Sequence, residues 1–142
     1  MHNYEVNLAW VADRKGTVSS PALNQSIEIA TPPEFPKGME GIWSPEHLFA
    51  AAVNSCLMTT FLAIAENSKL EFVSLNCTAI GKLDKVDGKY MMTEVVLRPV
   101  LVIKNEELQE KAKRVLEMSE RACLISNSIK SKIVFEPVIS IQ

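Results

Sequence analysis

The sequence predicts an α+β fold in which antiparallel sheet and helices occupy separate stretches of one domain, residues 1–142. Two observations predict the helices. Residues 44–66, SPEHLFAAAVNSCLMTTFLAIAE, form one long apolar run, and residues 105–121 switch to helical period. The third observation predicts the sheet: alternating segments joined by turn signals flank both helices, giving the order βββ–α–ββ–α–β.

Residues 3–11 alternate at Tyr4, Val6, Leu8 and Trp10 and predict a strand. After the polar turn Asp13-Arg14-Lys15-Gly16, residues 17–20 return as a short strand, and residues 24–30 alternate again at Ile27 and Ile29. Together they predict a small meander. Residues 31–43, TPPEFPKGMEGIW, hold three prolines and two glycines and predict a loop. Trp43 is placed to staple the next helix against Leu48 or Phe49.

That helix opens on Ser44 as N-cap, Pro45 at the first helical position and Glu46 at the positive end of the helix dipole. A helix apolar on nearly every side is expected to be buried on nearly every side. Glu46, His47, Asn54 and Ser55 interrupt the run, which excludes a membrane span and predicts the central helix of a soluble core, with Cys56 near its middle.

Residues 71–83 predict a strand with Val73, Leu75, Cys77 and Ala79 on its buried face. Asp87-Gly88 is a hairpin signal, and residues 90–103 return, with Pro99 predicting an edge position or a bulge. In the second helix Leu108, Ala112, Val115, Leu116 and Ser119 form one stripe, which continues to Cys123 and turns that residue inward. Glu107–Lys111 and Glu110–Arg114 are spaced for ion pairs on its outer side. Residues 124–130 add a further turn, and residues 132–139 close the chain as a strand.

Hydrophobic content of 47% with 23% charged residues is that of a globular protein, and a net charge of -2 with no basic cluster argues against nucleic acid. Met1–Trp10 lacks the basic start and apolar segment of an export signal, so a reducing cytoplasm is expected. Three cysteines there are free, buried or redox-active rather than structural disulfides. Without CxxC, a histidine pair or a glycine-rich phosphate loop, neither a metal nor a cofactor is predicted.

A free cysteine among apolar neighbours is usually a small core residue, and that accounts for Cys56 in its helix and for Cys77 on the buried face of its strand. Against it, Asn54, Ser55, Thr59 and Thr60 put polar groups near Cys56, and the inward Cys123 leaves a reversible disulfide open. By default Arg14 is a solvated charge, Glu46 a helix-end carboxylate and His47 a surface or interface residue.

The segment SPEHLFAAAVNSC, followed about sixty-seven residues after its cysteine by ACLISNSIK, resembles the OsmC/Ohr family. Arg14-Lys15-Gly16-Thr17-Val18-Ser19 resembles that family's arginine turn. The resemblance implies an OsmC-like fold with a long buried central helix, an intertwined homodimer, and a cysteine-based peroxidase acting on organic hydroperoxides in oxidative stress defence. It casts Cys56 as the peroxidatic thiolate, Cys123 as the resolving thiol, and Arg14 with Glu46 as the charged pair that activates the site. It further implies reduction by a dihydrolipoyl group or another small dithiol. Leu124 stands where the best-known members have proline, and the 31–43 loop is short, which points to a general OsmC-like member. Leu48, Phe49, Ala52, Leu57, Met58, Phe61 and Ile125 are expected to line the substrate site and to favour organic peroxides.

A buried thiol needs help to ionise, and Cys56 lies too deep in the helix to gain from its N-terminus, so a cation, Arg14, is expected to supply it. Glu46 and Cys56 are ten positions apart, about 15 Å along a straight helix, so a shared site calls for a partner chain. Two other classes fit the same residues: a dimeric small-molecule binding protein and a thiol-redox sensor.

Overall fold

A computed structural model describes all 142 residues. The chain forms two compact units, Met1–Leu48 and Phe49–Gln142.

In the first unit β1 (Asn7–Ala12), β2 (Lys15–Ser19) and β3 (Ile27–Ala30) make an antiparallel sheet in the order β1-β2-β3. Asp13 takes a left-handed φ of 51° in the β1–β2 turn. Gly16 is required at the first crossing, because a Cβ there would lie 2.8 Å from the carbonyl oxygen of Ala9. Residues 3–6 are not part of the expected strand, and all of β1 is exposed. The loop ends on a bridge of Ile29 to Trp43, with the Ala30 N–H donating to the Trp43 carbonyl at 2.8 Å. Trp43 stays half-exposed and meets His47, in the first turn of the helix that follows, edge-on with ring centroids 6.1 Å apart.

The central helix, α1 (Pro45–Asn67), starts in the first unit and continues through the second. Ser44 caps it, its Oγ accepting the His47 N–H at 3.1 Å and pairing with His47 Nδ1 at 2.6 Å. Its C-terminus closes in a Schellman motif. Lys69 adopts φ 54°, the Leu70 N–H donates to Ala65 O at 2.8 Å and the Lys69 N–H to Glu66 O at 3.1 Å. The chain buries only one stripe of α1, Val53, Cys56, Leu57, Phe61 and Ala65, and leaves Ser55, Met58, Thr59, Leu62, Ala63 and Glu66 exposed. The expectation of burial on nearly all sides is therefore corrected for the single chain. Uniform apolarity carries no information about which face the chain covers.

β4 (Ser74–Val86) and β5 (Lys89–Ile103) form a long antiparallel hairpin. Its turn is set by Asp87 and Gly88, both at positive φ, 51° and 79°, as a two-residue primed turn requires. Leu75, Cys77 and Ala79 face the core as expected, whereas Val73 precedes β4 and is exposed. β5 is central rather than an edge. It also pairs in parallel with β6 (Lys132–Phe135) through Glu94–Leu97 and with β7 (Val138–Ile141) through Val100–Ile103. Pro99 falls in the gap between these two partners, where no parallel ladder bond is asked of it. The sheet is thus mixed, and the single closing strand expected from residues 132–139 is split at Glu136-Pro137.

α2 (Gln109–Ala122) follows a short 3-10 turn, Glu106–Leu108, and buries Ala112, Val115, Leu116 and Ser119, the predicted stripe. The two expected ion pairs on its outer side do not form. Lys111 Nζ instead donates to the Lys69 carbonyl at 3.5 Å. Two clusters fill the second unit. Phe61, Ala65, Leu101, Ile103, Val115 and Leu116 share one, with Phe72 edge-on to Phe61 at 5.1 Å. Val53, Cys56, Leu57, Val95, Leu97 and Cys123 share the other.

Candidate active site: a buried pair of thiols

Two independent periodicities bring Cys56 and Cys123 together. Cys56 lies on the buried stripe of α1. Cys123 is the residue at which α2 stops, with φ -67° and ψ 106°, before the chain turns through Ser126–Ser128. Both thiols are free and buried, Cys123 completely and Cys56 with 8% of its surface reachable.

Their surroundings treat the two sulfurs differently. Burial pushes the Cys56 thiol up, but four donors outweigh it and leave its pKa below the ordinary 9.0: the Ile125 amide, the Cys123 thiol, the Thr60 hydroxyl and the Leu124 amide. Cys123 is pushed up to about 11, by burial first and then by the neighbouring Cys56, while the Ser126 and Thr60 hydroxyls work the other way. One sulfur is thus set up to carry the charge and the other to carry the proton. Within the single chain every group that lowers the Cys56 pKa is a neutral donor of the second unit.

Of the polar residues expected around Cys56, only Thr60 reaches the sulfur, its Oγ1 3.9 Å away one helical turn on. Ser55 Oγ donates back to Ala51 O at 2.7 Å and Thr59 Oγ1 to Cys56 O at 3.1 Å. Asn54 Nδ2 donates to Cys77 O at 2.9 Å, tying α1 to β4. Cys77 itself is pushed up to about 11 by burial and lines a separate cavity of about 240 Å³ with Ala51, Asn54, Ser55, Met58 and Leu75.

The predicted lining residues do not share one place. Phe49 and Ile125 pack against the Cys56 cluster, and Leu57 belongs to it. Phe61 is wholly buried in the other cluster and Met58 is exposed beside the Cys77 cavity. Ala52 and Leu48 are half-buried. Arg14 stands exposed in the β1–β2 turn, and one buried Glu46 carboxylate oxygen has no partner. The groups that sequence reasoning passed over are the Leu124 and Ile125 amides, the Ser126 hydroxyl and Thr60 as a contact of both sulfurs. Only Thr60 carried a signal, its four-residue spacing from Cys56.

The profile of the OsmC-like proteins matches residues 38–138, a stretch that contains both cysteines and the start of α1. The chain belongs to the OsmC-like protein family. It is 26% identical over 146 residues to the uncharacterized protein YmaD of Bacillus subtilis, across 99% of this chain and 95% of that one. An OsmC-like protein of unknown function from Vibrio cholerae superposes with a TM-score of 0.85 at 26% identity, covering 97% of this chain and all, 100%, of the other. An organic hydroperoxide resistance protein from Elizabethkingia anophelis, solved with thiocyanate bound, has a TM-score of 0.78 at 20% identity, with 100% and 98% covered. That last likeness is one of fold.

Proposed function

We propose that this OsmC-like protein is a thiol peroxidase that reduces organic hydroperoxides. The observation that carries the reading is the pairing of a pKa-lowered Cys56 with a pKa-raised Cys123 in one buried cluster. The Cys56 thiolate attacks the outer peroxide oxygen, the O–O bond breaks, and Cys56 becomes a sulfenic acid while the alkoxide takes a proton from solvent and leaves as the alcohol. The Cys123 thiol then condenses with it, releasing water and leaving a Cys56–Cys123 disulfide. A small dithiol, such as a dihydrolipoyl group, restores both thiols by exchange. Phe49, Leu57 and Ile125 give the pair an apolar surround that favours an alkyl or aryl hydroperoxide over hydrogen peroxide.

The same reading takes residues 1–142 as one working domain of a cytoplasmic homodimer. The exposed face of α1 supports a second copy, and so does the unpartnered Glu46 oxygen. Glu46 and its own Cys56 are separated by about 15 Å of helix, so Arg14 and Glu46 of one protomer complete the site of the other.

Thiol titration tests the reading. One equivalent of cumene hydroperoxide should remove two thiols per chain in the wild type and spare Cys77, and Cys56→Ser should abolish the loss. Unchanged thiols in the wild type would favour a binding protein. A disulfide that forms once and that no dithiol turns over would favour a redox sensor.

A further inference from the structure

The disulfide-forming step poses a problem of its own. Cys123 is completely buried, so water does not reach its proton, and its raised pKa keeps that proton in place at neutral pH. To close the disulfide this sulfur must lose a proton while the oxygen on Cys56 gains one. The mover has to touch both sulfurs and be able to accept and donate at once. Among side-chain hydroxyls at the site, Thr60 meets Cys56 directly and neighbours Cys123 as well, whereas Ser126 neighbours Cys123 alone. Thr60 Oγ1 is 3.9 Å from Cys56 Sγ, so an oxygen carried on that sulfur comes within its reach. A hydroxyl is one donor and two acceptor positions, which suits both tasks.

We infer that Thr60 is a catalytic residue of the resolving step, carrying the Cys123 proton to the oxygen that leaves Cys56. The inference rests on the peroxidase reading. The Cys123 S–H proton passes to Thr60 Oγ1, and the Thr60 hydroxyl proton passes to the sulfenic oxygen. The Cys56 S–O bond breaks as the Cys56–Cys123 S–S bond forms, and the oxygen departs as water. Thr60 ends with one proton, as it began, and no reagent beyond the hydroperoxide that made the sulfenic acid is consumed. Ser126 Oγ is buried and has no hydrogen-bond partner, so it does not bridge the two sulfurs.

The test compares Thr60→Val, which keeps the shape and loses the hydroxyl, with Thr60→Ser, which keeps the hydroxyl. Reduced protein is mixed with cumene hydroperoxide and quenched with dimedone at intervals. Mass spectrometry then follows the Cys56 sulfenic acid adduct and the disulfide separately. Thr60→Val should form the sulfenic acid within a few-fold of the wild-type rate, because three other donors to Cys56 remain. It should close the disulfide roughly a hundredfold more slowly, the low end of what a positioned proton carrier contributes. Thr60→Ser should restore closure to near wild type. Closure in Thr60→Val at the wild-type rate overturns the inference, and so does slow closure in both variants, which would show a packing role. If wild-type protein forms no Cys56 sulfenic acid, the peroxidase reading fails and the inference falls with it. Sulfenic acid formation and closure are read independently, so the two failures are distinct.

Discussion

Raising the pH in the presence of iodoacetamide should label the three cysteines in a fixed order, because only thiolates alkylate. Cys56 lies below 9.0, so by the titration relation more than about a tenth of it is ionised at pH 8. Cys77, pushed up to about 11, is ionised at about one part in a thousand there. Cys77 is the fair comparator, being half-buried where Cys123 is sealed. The populations differ by at least about a hundredfold, but a thiolate of higher pKa is the better nucleophile, which returns up to about tenfold over two units. A net preference for Cys56 of at least about tenfold should remain at pH 8. Peptide mass spectrometry on samples quenched through the reaction measures it. The Cys56 rate should level off at lower pH than the Cys77 rate, which should still climb at pH 10. Equal labelling of Cys56 and Cys77 at pH 8, or a Cys56 profile that rises to pH 11, would refute the assignment of Cys56 as the charged sulfur.

Phe61→Ala empties a wholly buried site and breaks the Phe72 contact, so it should cost about 3–5 kcal/mol in urea unfolding. Phe61→Leu should keep the fold and leave the Cys56 alkylation rate unchanged; a slowed rate would return Phe61 to the substrate site. Lys69→Gly relieves a left-handed residue at the end of α1 and should stabilise by up to about 1 kcal/mol in the same assay. Stability should also fall as pH rises from about 9 to about 11. The sign follows because Cys123 and Cys77 both hold their protons in the folded chain after unfolded thiols have lost them, and Cys123→Ala should make that limb of the thermal-unfolding profile shallower, the remainder belonging to Cys77. Arg98→Ala breaks an exposed pair with Glu136 and should cost at most about 1 kcal/mol.

The chemistry was legible where two periodic patterns converged. The α2 stripe runs through Ala112, Leu116 and Ser119 to Cys123, and the structure buries all four. Ser44-Pro45-Glu46 announced the start of α1, and Asp87-Gly88 the hairpin. What failed to show was what depends on which element lies beside which. Pro99 predicted an edge, yet it stands in the central strand, because its local liability disappears where β6 gives way to β7. Parallel pairing leaves no mark on the alternation of β5. The donors that lower the Cys56 pKa include two main-chain amides, at Leu124 and Ile125, and no side-chain pattern encodes where an N–H will point. Attention to charge suggested a cation, and within its own chain the sulfur meets neutral donors, two of them in a turn of backbone.

The exposed face of α1 bears on why the helix is so apolar. A helix that needed only to pack on its own sheet could be polar at positions 58, 62 and 63, which are exposed. Here those positions are Met58, Leu62 and Ala63, with Met58 47% and Leu62 44% exposed. Scattered apolar residues need no explanation, but Met58 and Leu62, one turn apart on the helix that carries Cys56, do. In the first unit, independently, Leu8 and Trp10 of β1 are 67% and 75% exposed. Neither feature stabilises a lone chain, and each fits the proposed interface between two copies. The proposed pairing therefore explains in one step the apolar outer stripe, the uncovered strand and the carboxylate oxygen of Glu46 that finds no partner in its own chain.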